Sequence, residues 1–156
     1  ARIKVDPALA ERLLLLVAEP RVATDPITTA AMVYQIVRPL LAGRATEALV
    51  CVALDCRLRL IGVETLTTGS DAFTVVCPKQ ILRWALMQGR SGAHAIVLAH
   101  NHPSRDPTPS PQDIEVTRRV SRASSSIGIG LVDHLVCSDD CYVSLSERGE
   151  LPAWNL

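Results

Sequence analysis

Residues 93–124 constrain this chain more than any other stretch. Ala93 to Ala99 is apolar apart from His94, and it leads directly into His100-Asn101-His102-Pro103. A short apolar run bounded in this way reads as a buried strand. From Pro103 to Pro109 there are three prolines, two hydroxyl residues and no large apolar side chain, so this segment is loop. Ser110-Pro111 then opens a helix, with Ser as N-cap and Pro at the first helical position. The helix runs to about Ser124. Strand, loop and helix in this order place the histidines where one element hands over to the next.

The flanking segments extend the pattern. Residues 7–19 read as a helix, with Leu9, Leu13, Leu16 and Val17 at helical spacing and Pro20 ending the run. Asp25-Pro26 supplies an N-cap and first-turn proline for a second helix. Its apolar stripe is Ile27, Ala30, Ala31, Tyr34, Val37 and Leu41, closed near Gly43. Leu49 to Leu54 is a buried strand, Asp55-Cys56-Arg57 a turn, and Leu58 to Leu66 the second arm of a hairpin. Phe73 to Cys77 reads as a shorter strand. Pro78 opens a helix through about Met87, with Ile81, Leu82, Ala85 and Leu86 on one side. Gly128 to Cys137 is a strand, Ser138-Asp139-Asp140 a turn, and Cys141 to Leu145 its partner. The order implies a mixed α/β fold with helices packed on the faces of a mixed sheet.

A chain of 156 residues fits one hydrophobic core. Aromatics are only 3% of it, so that core is aliphatic. The 16 basic and 16 acidic residues cancel, which gives no support to general nucleic-acid or membrane binding. The apolar run Leu13–Ala18 is too short to cross a bilayer, so no membrane partner is expected. Cys51, Cys56, Cys77, Cys137 and Cys141 make an odd count, and three lie in apolar runs. That suits free thiols in a reducing cytoplasm better than a disulfide framework. The pairs Cys51/Cys56 and Cys137/Cys141 lack the tight spacing of a zinc knuckle. The chain begins at Ala1 and reads as a piece of something longer.

The chemistry concentrates at His100, His102 and Asp113. Strand residues two apart point the same way, so both imidazoles face one point. Asp113 falls at the third position of the next helix, where the helix dipole favours a carboxylate. A His-x-His pair alone is more often structural, and a first-turn Asp alone is more often a dipole partner. Together, in a strand–loop–helix context, they read as a metal site. Two histidines and one carboxylate are a common catalytic zinc set that keeps one position for water. Zinc lowers the pKa of such a water to about 7.

The pattern His100-x-His102-x7-Ser110-x2-Asp113 resembles the metal motif of JAMM (MPN-type) zinc metalloproteases. The wider wording is similar to the bacterial RadC family: His100-Asn101-His102-Pro103-Ser104, Pro109-Ser110-x-x-Asp113, Thr117, Asp133-His134, Leu54-Asp55 and Glu147-x-Gly149. The similarity covers about residues 45–150. It implies an MPN/JAB-like domain with a mixed, mostly antiparallel sheet flanked by helices over 46–156. Residues 1–45 are then N-terminal helices. RadC-like proteins usually carry a helix-hairpin-helix region first, and residues 1–45 show no convincing hairpin of that kind. Arg105 stands where a glycine usually follows His-Pro-Ser, and Gln80 stands where an acidic residue usually opens the middle helix.

The resemblance implies His100, His102 and Asp113 as ligands of Zn2+, Glu47 as general base and Ser110 as support for the oxyanion. Glu64, on the second hairpin strand, is the alternative base. Asn101 and Ser104 read as loop-polar residues, His134 as a hydrogen-bonded core histidine or a neighbour of the metal site, and His94 as structural or exposed. The leading function is hydrolysis of an amide bond in a peptide or protein, as a metallopeptidase or isopeptidase. The alternatives are a DNA-associated role through Arg105, Arg118, Arg119 and Arg122, which zero net charge does not favour, and a non-catalytic binding scaffold.

Overall fold

Every second residue of β3 (Ala95–Asn101) enters one core and the residues between enter another, because both faces of the sheet are covered. The computed structural model describes residues 25–69 and 77–151. The helix expected over 7–19 lies outside them, as does all of the strand expected over 73–77 except Cys77. The remaining elements are α1 (Ala30–Leu41), β1 (Glu47–Leu54), β2 (Leu60–Gly69), α2 (Pro78–Leu86), α3 (Pro111–Ser125), β4 (Gly130–Cys137) and β5 (Tyr142–Ser144).

The five strands form one sheet in the order β2-β1-β3-β4-β5. Only β3 and β4 run parallel; the other three pairings are antiparallel. A parallel pair needs a crossover, and α3 with its leading loop supplies it. The sheet is therefore mixed and mostly antiparallel, with helices on both sides, as expected. On one face, α1 closes a core with Val50, Val52, Val97, Ala99 and Leu135. On the other, α2 and α3 cover Leu49, Cys51, Ile96, Leu98 and Val136.

Two expectations for α1 need correction. Thr29, not Asp25, caps the helix, its side chain accepting the Met32 N–H at 3.3 Å. The preceding segment is held instead by the hairpin, through Ile27 N–H to the Leu58 carbonyl at 2.8 Å. A tertiary contact thus overrides the local start signal. Ala31 is exposed, and Val33 takes its place in the buried stripe. Similarly, Leu86 is 55% exposed, because α2 buries only Ile81 and Ala85 fully.

A one-residue irregularity in β4 decides which of its side chains reach the α3 face. Ile96 pairs with Leu131 but Val97 pairs with Asp133, so Val132 is an extra residue on β4. A bulge shifts the alternation of side chains by one. Leu131 faces the α3 side, and beyond the bulge it is His134 and Val136 that do so, opposite Leu98 and His100. Asp133 anchors the bend by accepting the His134 N–H at 2.7 Å, the Ser144 hydroxyl at 2.6 Å and the Ser146 N–H at 2.9 Å.

Candidate metal centre

Ligands of open α/β units collect at the carboxyl ends of strands, where the chain turns into the next helix. His100 sits at that end of β3 and His102 just beyond it. Asp113 lies in the first turn of α3, which Ser110 caps. One donor atom from each of the three side chains lies within 4.8 Å of the others. The two Nε2 atoms are 3.0 Å apart, and each is 3.4 Å from an Asp113 carboxylate oxygen.

Each side chain is held from behind. His102 Nδ1 lies 2.8 Å from the Asp106 carbonyl oxygen, which can only accept. Nδ1 therefore carries a proton, and in the neutral ring Nε2 presents a lone pair to the cluster. Ser110 donates both its N–H and its hydroxyl to Asp113 Oδ2, each at 2.7 Å, while its Oγ accepts the Asp113 N–H at 3.1 Å. This reciprocal cap fixes the carboxylate by the same contacts that start the helix. His100 Nδ1 is 2.8 Å from His134 Nε2, and His134 Nδ1 is 2.6 Å from the Thr117 hydroxyl.

The charge states suit a cation. Burial pushes His100 down to about 4, with His102 adding to the effect and Asp113 opposing it. Burial also holds His134 well below the ordinary histidine value. His102 moves up, chiefly through its bond to Asp113 and against partial burial. Burial raises Asp113, but His102, His100 and Ser110 outweigh it and hold the carboxyl well below the usual range. At neutral pH the buried imidazoles are neutral and the carboxylate is ionised, the forms in which these groups bind metal. An ionised carboxylate beside two converging ring nitrogens fits a divalent ion of the zinc type.

This chain belongs to the RadC-like JAB domain family. The family description matches residues 27–150, which includes α1 and all five strands. Among curated relatives, the UPF0758 protein of Symbiobacterium thermophilum is 40% identical over 119 residues, covering 76% of this chain and 50% of that protein. The one from Shouchella clausii is 37% identical over 128 residues, 82% of this chain and 53% of its own length. That of Methanosarcina mazei is 32% identical over 141 residues, 90% of this chain and 59% of its own length. This RadC-like chain thus spans about half the length of the curated relatives it matches.

The other candidate residues separate by position. Glu47 opens β1 on the face shared with Leu49, which pairs with His100, and its charge is felt at His102. Glu64 pairs with Cys51, four residues further along β1, or about 13 Å at the usual rise per residue. Its carboxylate accepts the Trp84 indole N–H at 2.5 Å, under α2. Ser104 is exposed, and its hydroxyl accepts the Asp106 N–H at 3.4 Å. His94 precedes β3 at the end opposite the cluster. Arg118 pairs with Glu150 at 3.3 Å and Arg122 with Glu115 at 3.8 Å on the outer side of α3, while Arg119 is exposed.

Asn101 has a part that spacing alone did not reveal. It points to the α1 side, accepts the Ala48 N–H at 2.8 Å and donates to the Thr46 carbonyl at 3.2 Å. It thereby clamps the backbone on both sides of Glu47. The available signal was parity: an odd-numbered residue of β3 cannot share the face of His100.

Proposed function

We propose that this chain is the catalytic domain of a zinc-dependent amide hydrolase of the JAMM type, acting on a peptide or an isopeptide bond of a protein. The observation that carries the reading is the convergence of His100, His102 and Asp113 within 4.8 Å at the carboxyl end of β3. These three residues would hold the metal. A zinc ion there supplies Lewis acidity, polarising a carbonyl and lowering the pKa of water to about 7.

The chain's own residues account for the proton traffic. Glu47, half-exposed and on the site face, takes the proton of the attacking water and returns it to the departing amine nitrogen. The clamp from Asn101 holds the backbone on both sides of Glu47 against the end of β3, two residues before the Leu49–His100 pair. Ser110 orients Asp113 through its N–H and hydroxyl, and with a metal held by the three ligand residues that hydroxyl would be the donor that supports the carbonyl oxygen of the substrate. Glu64, tied to Trp84, is the weaker choice of base. Free cysteines fit a reducing, cytoplasmic setting. No helix among the described residues is long and apolar enough to cross a membrane.

Incubation of zinc-loaded protein with a panel of peptides and ubiquitin-like conjugates tests the reading. Cleavage is expected, with Glu47→Gln slower by about 10²–10⁴-fold at unchanged zinc content. Equal rates for wild type and Glu47→Gln, or no cleavage by either, would remove the hydrolase assignment.

A further inference from the structure

The cluster does not end at its three ligand-type residues. Behind His100 runs a row of short contacts: His100 Nδ1 to His134 Nε2 at 2.8 Å, His134 Nδ1 to Thr117 Oγ1 at 2.6 Å, and Thr117 Oγ1 to the Asp113 carbonyl oxygen at 2.5 Å. All of these side chains are buried. Protons can be assigned along the row from its far end. A carbonyl oxygen only accepts, and two oxygens this close need a proton between them, so the Thr117 hydroxyl donates to Asp113. Having spent its proton, Thr117 Oγ1 accepts from His134 Nδ1–H. His134 Nε2 is then bare and accepts from His100 Nδ1–H. His100 Nε2 is left with a lone pair, aimed at His102 and Asp113.

We infer that Thr117 and His134 are positioning residues that lock His100 in the one neutral tautomer able to bind a metal. This deepens the hydrolase reading and rests on it for its purpose, although the tautomer itself exists independently of any activity. The row is closed by the backbone of Asp113, so one residue both offers a carboxylate to the site and terminates the order of protons behind His100. The bulge at Val132 is part of the device, since without it His134 would face the α1 side. Reversing every proton in the row would put hydrogen on His100 Nε2 and block the ligand position. Thr117 prevents this because its only hydroxyl proton is held by the carbonyl.

Long-range proton–nitrogen NMR of the histidine rings reads the tautomers directly, in chelator-treated and zinc-titrated protein. The wild type is expected to show His100 and His134 protonated at Nδ1. Thr117→Val, which keeps shape but removes the hydroxyl, is expected to disturb both assignments and to weaken zinc binding by about 10–100-fold in a chelator competition. Thr117→Ser is expected to restore both. A wild-type His100 protonated at Nε2 would overturn the inference. So would a Thr117→Val protein whose tautomers and zinc affinity match the wild type. If zinc failed to bind at all, the hydrolase reading would fall, while the ring assignments in metal-free protein would still decide the tautomer question.

Discussion

The two faces of the sheet bury their side chains equally well but spend that burial differently. Toward α1, Val97, Ala99 and Leu135 pack among other apolar side chains. Toward α3, the same strands carry His100 and His134, which meet Asp113 and Thr117 of that helix in place of apolar contact. Burying polar groups costs free energy unless each finds a partner. Among the described residues, every buried side-chain nitrogen and oxygen has one. Apart from the Asn101 clamp, the α1 face thus serves cohesion, while the α3 face accepts a connected row of polar groups beneath its open end.

That contrast can be broken from either side. His100→Ala should have the largest effect on the polar face, abolishing stoichiometric zinc in purified protein. The loss should exceed the roughly 10–100-fold drop that removing a supporting partner causes. Metal analysis and chelator competition check it. Leu135→Ala, fully buried on the α1 side, should cost about 2–5 kcal/mol in denaturant unfolding and leave zinc stoichiometry intact. Zinc loss in that variant, at a temperature where it is still folded, would show that the faces are not separable.

Acid sharpens the comparison. In the metal-free protein, His100 titrates near 4 when folded and near 6.5 when unfolded, so the unfolded state binds more protons between these values. Stability then falls as pH drops through that window, by about 2 kcal/mol at pH 5 relative to pH 7 from His100 alone. His134 acts in the same direction. His102, raised and partly exposed, opposes them more weakly, since its contribution is present at low pH and fades as pH rises. Asp113, depressed, adds a further loss only below the ordinary carboxylate range. Unfolding curves at several pH values should show this slope. Leu135→Ala should shift the whole curve down without changing its shape.

Much of this division was legible in the order of residues. The apolar run into His100, the prolines of the loop and the Ser110-Pro111 start place strand, loop and helix within a residue or two of where they lie. The spacing to Asp113 reaches the first turn because a capped helix starts where its cap is. What was not legible depended on contacts distant in sequence. Thr29 rather than Asp25 starts α1 because Ile27 bonds to Leu58. His134 faces the cluster because of a bulge at Val132, which no local signal marks. Asn101 reads as loop and acts as a clamp, since its partners Thr46 and Ala48 lie at the start of another strand.

The smallest expected effect tests the loop between the faces. Arg105 holds φ 67, a left-handed conformation that a side chain disfavours. Arg105→Gly should stabilise the fold by about 1 kcal/mol, visible as a modest rise in melting temperature. A fall would mean that the contact of Arg105 with Asp139, at 3.6 Å, outweighs the strain.

X-ray absorption at the zinc edge tests the centre itself most directly. A first shell of nitrogen and oxygen only is expected, at about 2.0–2.2 Å, with two imidazoles among the scatterers. A sulfur shell at about 2.3 Å would assign the metal to cysteine instead and contradict the site built from His100, His102 and Asp113.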